Sequence, residues 1–488
     1  MATSQGVVLV GCGNHARDFY LPLLSELNAP LVLVVDIASR EAAVRAEIAQ
    51  HHLDPVPEVF LVDDRHRDAE DLPDAVSVPL TARLRELGVD QAIVSTEPKA
   101  HKSYAKYFLR TEIDVMVDKP LTAPLNASVD PAQARKVYAD YEELLKLSEQ
   151  HPAVRFTLHC QRRYDPAFRY IKILLDMAVQ ECQVPVTHID VHHGNGHWNM
   201  PPEFESREDH PHKYGYGKLL HSGYHYVDLF AWFCQSNEWL DDRTPDHVRL
   251  VQQTQQPDDL LFQLGQAGYA KFFGEDTFGD FFAAHPESGF KDYGETESCS
   301  VIHLMRDGHV VTSGTIRLVD TTVSRRAWAG TPANVNIGNG RIRHSQLSVS
   351  VGPLLTVQLH SYESYERRFR KEVGVDDPAE PGNWDHEDVY VFRNHDLIGD
   401  KSKPLGGPAF ERLRGRELAD QLHYPGGQDD DRCTLERGQR QMLEEFLHGE
   451  PPATSLQRYS HTCRLLSLLL QASAEERQGN PPLVEGDY

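Results

Sequence analysis

The chain has 488 residues, of which 40% are hydrophobic and 25% charged, as is usual for a globular protein of more than one domain. Its 49 lysines and arginines and 73 aspartates and glutamates give a formal net charge of −24, which argues against binding to nucleic acid or to an anionic membrane. No apolar run approaches the roughly 18 residues that a membrane-spanning helix needs, and the N-terminus has no secretory-signal pattern, so we expect a cytoplasmic protein. The seven cysteines are scattered without a Cys-x-x-Cys spacing, and they indicate neither a disulfide framework nor a thiolate zinc site.

The first pattern along the chain is an apolar run, Val7–Val10, followed by a glycine turn and a helical pattern that Pro22 should kink. Gly11, Gly13 and Ala16 have the G-x-G-x-x-G/A spacing. Small residues at these positions allow a tight turn, close approach of the backbone to a pyrophosphate, and packing of helix on strand. The spacing alone is weak, but a strand before it and a helix after it favour a dinucleotide site.

A second apolar run, residues 31–35, ends at Asp36. This acid lies about 20 residues after the turn, where a carboxylate can accept both ribose hydroxyls of NAD and would repel the 2′-phosphate of NADP. NADP stays possible because Arg40 can pair with a 2′-phosphate, although an exposed helix charge explains Arg40 equally simply.

Strand and helix patterns continue to alternate, which predicts a doubly wound parallel sheet, a Rossmann domain, over residues 1–150. Ligands bind at the carboxyl ends of such strands, so the loops after Val10, Val35, Ser95 and Val117 should converge on one crevice. The later elements are a helix within 75–88, a strand at 91–95, a helix at 102–110 and a strand at 113–117.

Further motifs follow at strand ends and beyond the first 150 residues. In chain order they are Ser95-Thr96-x-Pro98-x-x-His101, Asp118-Lys119-Pro120, Arg163-Tyr164-x-Pro166 and Gly217-Lys218-Leu219-Leu220-His221-Ser222-Gly223-Tyr224-His225. Together with the glycine turn and Asp36, they resemble the Gfo/Idh/MocA oxidoreductase family, named for glucose–fructose oxidoreductase and inositol dehydrogenase. The family has Glu-Lys-Pro where this chain has Asp-Lys-Pro. The resemblance spans both ends of the chain and is thinnest over residues 235–435.

The resemblance implies a second α/β domain with an open, mainly antiparallel sheet over residues 151–435, followed by C-terminal helices over 436–488 that pack back on the core. Two stretches, near 255–295 and 365–432, look like insertions into that domain. Segments of intermittent alternation agree with such a sheet; they are residues 154–159, 186–193, 301–305, 310–319 and 347–360.

The resemblance also implies the catalytic residues. A dehydrogenase removes a hydroxyl proton while a hydride leaves the same carbon, so it needs a cation near the oxygen and a base. By resemblance, Lys119 is the catalytic lysine and His225 the histidine that accepts the proton. His221 lies four residues earlier on a helical pattern, so both histidines should share one face. The family commonly has aspartate where this chain has His221, which would then bind a substrate hydroxyl, relay a proton, signal altered chemistry, or be purely structural.

The remaining site residues are expected along the crevice and at the start of the second domain. The expected cofactor contacts are Gly11, Gly13, Asn14, His15, Ala16, Asp36, Ser95, Thr96, Pro98, His101, Asp118 and Lys119. The expected substrate contacts are Arg163, His193, His197, Trp198 and His221. For Arg163 a structural salt bridge is an alternative, and for Trp198 core packing is the alternative to stacking on a sugar.

The histidines around His193 and His197, with His210 and His212, resemble a metal site at first sight. His192 and His193 would point to opposite faces of a strand, however, and no clear acid or thiolate accompanies them. We therefore expect no metal.

These observations predict an NAD(P)-dependent oxidoreductase that transfers a hydride between nicotinamide and a secondary alcohol or ketone of a sugar, cyclitol or sugar derivative. By the same resemblance the chain should form a dimer or tetramer, with no nucleic-acid or membrane partner. Two alternatives stay open. One is a redox-neutral, NAD-dependent enzyme that cleaves glycosides, and the other is a non-catalytic dinucleotide-binding regulator of the same fold.

Overall fold

The chain divides into two compact units in the computed structural model, and neither is one continuous segment. The first unit comprises Met1–Pro124, Val137–Tyr164 and Leu435–Cys463, and the second comprises Leu125–Lys136, Asp165–Thr434 and Arg464–Tyr488. In the described part of the chain, no helix is both long and apolar enough to cross a membrane. The residues that the structure describes are 6–208, 210–274, 278–285, 289–324, 342–364, 387–400, 405–424 and 434–488.

The first unit is built on a six-stranded sheet in which every neighbouring pair of strands is parallel. Its strands are β1 (Val7–Val10), β2 (Leu31–Ile37), β3 (Glu58–Val62), β4 (Gln91–Val94), β5 (Asp114–Asp118) and β6 (Phe156–His159). The order β3-β2-β1-β4-β5-β6 reverses direction between β1 and β4, the point at which ligands bind to sheets of this kind. The predicted doubly wound parallel sheet is confirmed.

Helices that cover this sheet come from both ends of the sequence. Gln91 Nε2 donates to the Phe446 carbonyl at 2.9 Å, and Met442 and Leu443 belong to the same hydrophobic core as Val7. The first helix begins with a π-helical turn just before Pro22, which has no N–H to continue the usual ladder. The longer helical segments of this unit are Ala16–Tyr20, Leu21–Glu26, Glu41–Gln50, Asp74–Glu86, Pro98–Arg110, Pro131–Gln150, Thr434–Leu447 and Ser460–Arg477, of which Pro131–Gln150 and Ser460–Arg477 continue into the second unit.

Within the described residues, the second unit is built on a nine-stranded sheet that is antiparallel except for one pair. Its strands are β7 (Val186–Gly194), β8 (His247–Gln255), β9 (Glu297–Arg306), β10 (His309–Val319), β11 (Ile342–Val351), β12 (Leu355–Ser364), β13 (Glu387–Arg393), β14 (Phe410–Arg414) and β15 (Leu483–Asp487). They lie in the order β14-β13-β12-β11-β7-β10-β9-β8-β15, and only β7 and β10 are parallel. The expected open, mainly antiparallel sheet is therefore confirmed.

One predicted strand, residues 347–360, is wrong in its length. The segment forms two strands, β11 and β12, joined by a tight turn in which Gly352 has φ +46°. Within this segment, every second residue of both strands is apolar and buried, and these residues lie on the same face of the sheet. The apolar alternation therefore continues across the turn and gives no sign of it in the sequence.

One helix, Tyr224–Cys234, packs against β7 and β10, and all of its residues except Trp232 are buried. The expected insertion at 255–295 forms two helices whose aromatic side chains build a separate small core around Tyr269 and Phe281. The insertion at 365–432 lies partly outside the described residues, and its described part supplies β13 and β14. Helices of this unit are Pro166–Cys182, Glu203–Ser206, Tyr224–Cys234, Pro257–Phe273, Gly279–Ala284, His395–Ile398 and Gly415–Gln421.

Candidate functional site

The two glycines of the turn after β1 do different things. Gly11 has φ +88°, and a Cβ there would stand 2.4 Å from the Ser95 carbonyl oxygen, so the close packing of the β1 and β4 loops requires glycine. A Cβ on Gly13 would meet nothing within 4 Å. The space beside Gly13 is open, as it must be for a pyrophosphate to approach the backbone.

Asp36 lies inside β2, one residue before its end, and its carboxylate is fixed by the backbone. Oδ2 accepts the Cys12 N–H at 2.9 Å, and Oδ1 accepts the Ile37 N–H at 2.7 Å. Arg40 donates to the Cys12 carbonyl at 2.9 Å, and its Nε lies 3.7 Å from Asp36. Arg40 therefore braces the glycine turn, a role that neither sequence interpretation contained.

The loops after β4 and β5 are joined through His101 and Ser95. The ring nitrogens of His101 lie 2.7 Å from the Pro120 carbonyl and 3.0 Å from the Thr96 carbonyl. Burial lowers the pKa of His101, so the ring is neutral at pH 7 and donates to one of these carbonyls at a time. Its contacts are those of a residue that holds the loops together.

Asp118, the last residue of β5, is the centre of a buried hydrogen-bond network. Its Oδ1 accepts from Tyr20 at 2.6 Å and lies 3.1 Å from His159 Nδ1, and its Oδ2 accepts from Ser95 at 2.6 Å. Burial works to raise the pKa of Asp118, but the neighbouring histidines and these hydrogen bonds outweigh it and hold the pKa below its usual range. Asp118 is therefore an anion, and Lys119, half-buried, follows it directly.

His159 was missed by the sequence reasoning. It is the last residue of β6, and Asp118 and His159 are register partners at the ends of neighbouring parallel strands. A search of the strand ends for titratable residues would have found it, because the strand at 154–159 was predicted.

In the second unit, the prediction that His221 and His225 share one helix is wrong. The helix begins at Tyr224, and His221 lies in a turn in which its N–H donates to the Gly217 carbonyl at 3.0 Å. Gly223 closes this turn, since a Cβ there would stand 2.4 Å from the Lys218 carbonyl oxygen. His225 is in the first turn of the helix, and both histidines are buried.

This turn is clamped by a buried ion pair. Lys218 is fully buried, and its Nζ donates to Asp320 Oδ1 at 2.8 Å and to Ser222 Oγ at 3.1 Å. Asp320 also accepts from Asn195 at 3.0 Å and lies 3.7 Å from His212. Burial would raise the pKa of Asp320, but the Lys218 ammonium keeps it below its usual value. Sequence reasoning missed this clamp because its charged partners are about 100 residues apart in the chain.

The ring of His221 lies among other rings. The centroids of His210 and His212 are each 5.1 Å away, at interplanar angles of 89° and 84°, and Tyr216 is 5.9 Å away. Burial lowers the pKa of His212 to about 4, so this neighbour is neutral at pH 7.

The other predicted substrate residues pack within their own units. His193 stacks on Tyr226 with centroids 4.0 Å apart, and Trp198 Nε1 donates to the Tyr269 hydroxyl at 3.3 Å. His197 is buried against Arg207. In the first unit, the Arg163 guanidinium lies 4.1 Å over the ring of Tyr459. These contacts agree with the packing alternative for Trp198, and they give Arg163 an aromatic partner.

Comparisons with known proteins fit this geometry. Residues 5–147 match the GFO_IDH_MocA family model, described as an oxidoreductase family with an NAD-binding Rossmann fold. The first third of the chain therefore matches the NAD-binding Rossmann domain of this family. No curated protein matches the chain.

Solved structures extend the likeness to the whole chain. An oxidoreductase from Agrobacterium radiobacter, in complex with NAD+, L-tartaric acid and magnesium, is 11% identical with a TM-score of 0.54, covering 99% of this chain and 98% of its own. The WlbA dehydrogenase from Bordetella pertussis, in complex with NADH and UDP-GlcNAcA, is 14% identical with a TM-score of 0.53, covering 99% and 97%. Aldose-aldose oxidoreductase from Caulobacter crescentus is 14% identical with a TM-score of 0.52, covering 99% and 99%. At these identities the likeness shows a shared fold.

Proposed function

We propose that the protein is an NAD-dependent oxidoreductase that interconverts a secondary alcohol and a ketone on a sugar, cyclitol or sugar derivative. The observation that carries the proposal is the pairing of an NAD-binding domain with Asp118-Lys119-Pro120 at the carboxyl end of β5. A lysine at that strand end is placed where sheets of this kind bind ligands.

In the proposed reaction the residues bind the cofactor, bind the substrate or move the proton. Gly13 leaves room for the pyrophosphate, and Asp36 accepts the ribose hydroxyls. Bound nicotinamide supplies the hydride acceptor or donor. Lys119 polarises the substrate oxygen, and His225 takes the hydroxyl proton as the hydride leaves the same carbon. His221 binds a second substrate hydroxyl.

The substrate class is supported by what the structural relatives bind. Their ligands are L-tartaric acid and UDP-GlcNAcA, and the third is named for aldoses. All of these molecules carry hydroxyl groups on neighbouring carbons, with which imidazole groups such as those of His221 and His225 can form hydrogen bonds.

The test is turnover of a polyol and sugar panel, read as NADH absorbance, with NAD affinity measured separately. We expect Lys119→Ala and His225→Ala each to lower kcat by about 10²–10⁴-fold, the usual contribution of a general acid or base, with little change in NAD affinity. Lys146→Ala and His188→Ala are matched controls, because both residues are exposed on their elements.

If both Lys119→Ala and His225→Ala turn over at the wild-type rate, the assignment is wrong. Tightly bound NAD that co-purifies, with glycoside cleavage and no net NADH, would establish the redox-neutral alternative instead. NAD binding without turnover on any substrate would favour the regulator.

A further inference from the structure

Three metal-ligating side chains meet at the carboxyl edge of the first sheet. They are His15, in the first turn after the glycines, Asp118, at the end of β5, and His159, at the end of β6. One ligand atom from each lies within 4.8 Å of the other two. Among the described residues, no other set of three histidine, cysteine, aspartate or glutamate side chains lies this close together.

We propose that His15, Asp118 and His159 bind one divalent transition-metal ion of the Zn²⁺ class, with an open coordination position. Asp118 Oδ1 lies 3.1 Å from His159 Nδ1 and 3.9 Å from His15 Nε2. Two ligands on a tetrahedral zinc ion, each about 2.0–2.1 Å from it, stand roughly 3.3 Å apart. These two separations lie on either side of that value, and all three ligand atoms lie within 4.8 Å of one another, so side-chain shifts on the order of 1 Å would bring them onto one ion.

The ligands are held in place before any ion binds. The His15 ring stacks on Phe19 at 5.3 Å and 16°, and His159, buried, also meets Phe19 at 5.3 Å. Ser95 donates to the other carboxylate oxygen of Asp118 at 2.6 Å, which leaves Oδ1 as the ligand atom and fixes its direction. Preorganisation of this kind lowers the cost of assembling the site.

One side of the cluster is open. The side chain of His15 is 42% exposed, whereas that of His159 is 1% exposed. An ion can therefore enter past His15 and keep a position for water or for an oxygen of a small polar molecule. Two histidines, one carboxylate and an open position form the ligand set of catalytic rather than structural metal sites.

The alternative is that the cluster is only a hydrogen-bond network. The Tyr20 hydroxyl donates to Asp118 Oδ1 and contacts His159 Nδ1, so the metal-free protein already satisfies this oxygen. Neither interpretation depends on the proposed reaction, and a binding experiment separates them.

The test uses the full-length protein, stripped with a chelator, loaded with Zn²⁺ and desalted. We expect wild type to keep one zinc per chain by elemental analysis and to give a tetrahedral visible spectrum with Co²⁺. His15→Ala, whose ring is partly exposed, should fold normally by circular dichroism. We expect its zinc affinity to fall by at least about 10–100-fold, the loss seen when even an outer partner of a metal ligand is removed.

His188→Ala is the matched control, since His188 Nε2 lies 2.7 Å from Asp190 in an exposed pair on β7. It should bind zinc as wild type does. The proposal is overturned if wild type keeps no zinc, or if His15→Ala and His159→Ala keep as much as wild type. NAD affinity, measured on the same samples without metal, tests the proposed function independently.

Discussion

Removing the buried cation of the second unit gives a sharp test of the clamp that holds His221. In Lys218→Met the side chain keeps its approximate length, but Asp320 loses the ammonium 2.8 Å away. Asp320 then keeps the Asn195 amide at 3.0 Å and His212 at 3.7 Å, a ring that burial keeps neutral at pH 7 in the wild-type protein.

The expected cost is about 3–5 kcal/mol, the value for breaking a buried ion pair by removing one partner. No discount for solvent screening applies, because the side chains of Lys218 and Asp320 are 0% and 5% exposed. The double variant Lys218→Met/Asp320→Asn removes both charges, so it should recover a large part of this loss. A coupling of that size shows that the cost comes from the unpaired charge rather than from altered packing.

Denaturant unfolding followed by tryptophan fluorescence measures this change. All five tryptophans lie between Trp198 and Trp384, within the second unit's part of the chain, so the signal reports on that unit. Lys213→Met is the matched control. Its ammonium lies 2.7 Å from a Glu208 side chain that is 53% exposed, and surface pairs contribute about 0–1 kcal/mol.

If Lys218→Met lowers the free energy of unfolding no more than Lys213→Met does, the buried ion pair does not stabilise the second unit.

The dependence of the unfolding free energy on pH provides a second check of the ion pair. The folded-state pKa of Asp320 is below its unfolded value, so its contribution to stability is present above the unfolded pKa and is lost as pH falls through the folded one. In Lys218→Met burial raises the pKa of Asp320 instead, so the difference from wild type should begin to shrink as pH falls through that raised pKa, above the ordinary range of an aspartate.

The cofactor turn yields three further outcomes, read by NAD titration and thermal unfolding. Gly11→Ala should cost about 1–3 kcal/mol in backbone strain, because φ is +88° and Ser95 leaves no room. Gly13→Val should leave thermal unfolding unchanged and still weaken NAD binding by about tenfold or more, about 1.4 kcal/mol, because its side chain fills the open space. Asp36→Asn should weaken NAD binding by roughly 10–100-fold through loss of a charged hydrogen-bond acceptor, and discrimination against NADP should fall. Wild-type NAD affinity in both Gly13→Val and Asp36→Asn would contradict the proposed cofactor site, and wild-type stability in Gly11→Ala would contradict the strain expected at Gly11.

The first sheet was largely predictable because its central strands are buried on both faces. Such strands appear as continuous apolar runs, and β1 was predicted to the residue. Strands of the second sheet were harder to predict from the sequence, because one face of the sheet carries polar residues. In β8 the buried positions are Val248, Leu250 and Gln252, so the apolar alternation fades before the strand ends. The edge strands β14 and β15 were missed for the same reason.

Site residues could be predicted where they belong to a local sequence motif. The prediction failed where a residue's position depends on contacts that are distant in sequence. The roles of Gly11, Gly13 and Asp36 could be predicted because their spacing along the sequence is itself the motif. The position of His221 is not evident from the sequence, because the apolar residues around it resemble a helix, whereas in the structure its N–H bonds to the Gly217 carbonyl in a turn and the helix begins only at Tyr224. His159 and Asp118 meet only because β5 and β6 are neighbours in the sheet.

Position 221 carries a histidine where the family that the sequence resembles commonly has aspartate, yet a carboxylate is present nearby. Asp320, just after β10, lies 3.7 Å from His212, whose ring meets that of His221 edge to face at 5.1 Å. The Lys218 ammonium is closer to Asp320, at 2.8 Å, so it compensates the charge, and burial then keeps the pKa of His212 at about 4. The ring beside His221 is therefore neutral at pH 7, and it cannot supply the negative charge by which an aspartate stabilises a protonated partner. A neutral imidazole cluster can still donate and accept hydrogen bonds, which suits the proposed role of His221 in holding a substrate hydroxyl and agrees with the proposal that His225 takes the proton.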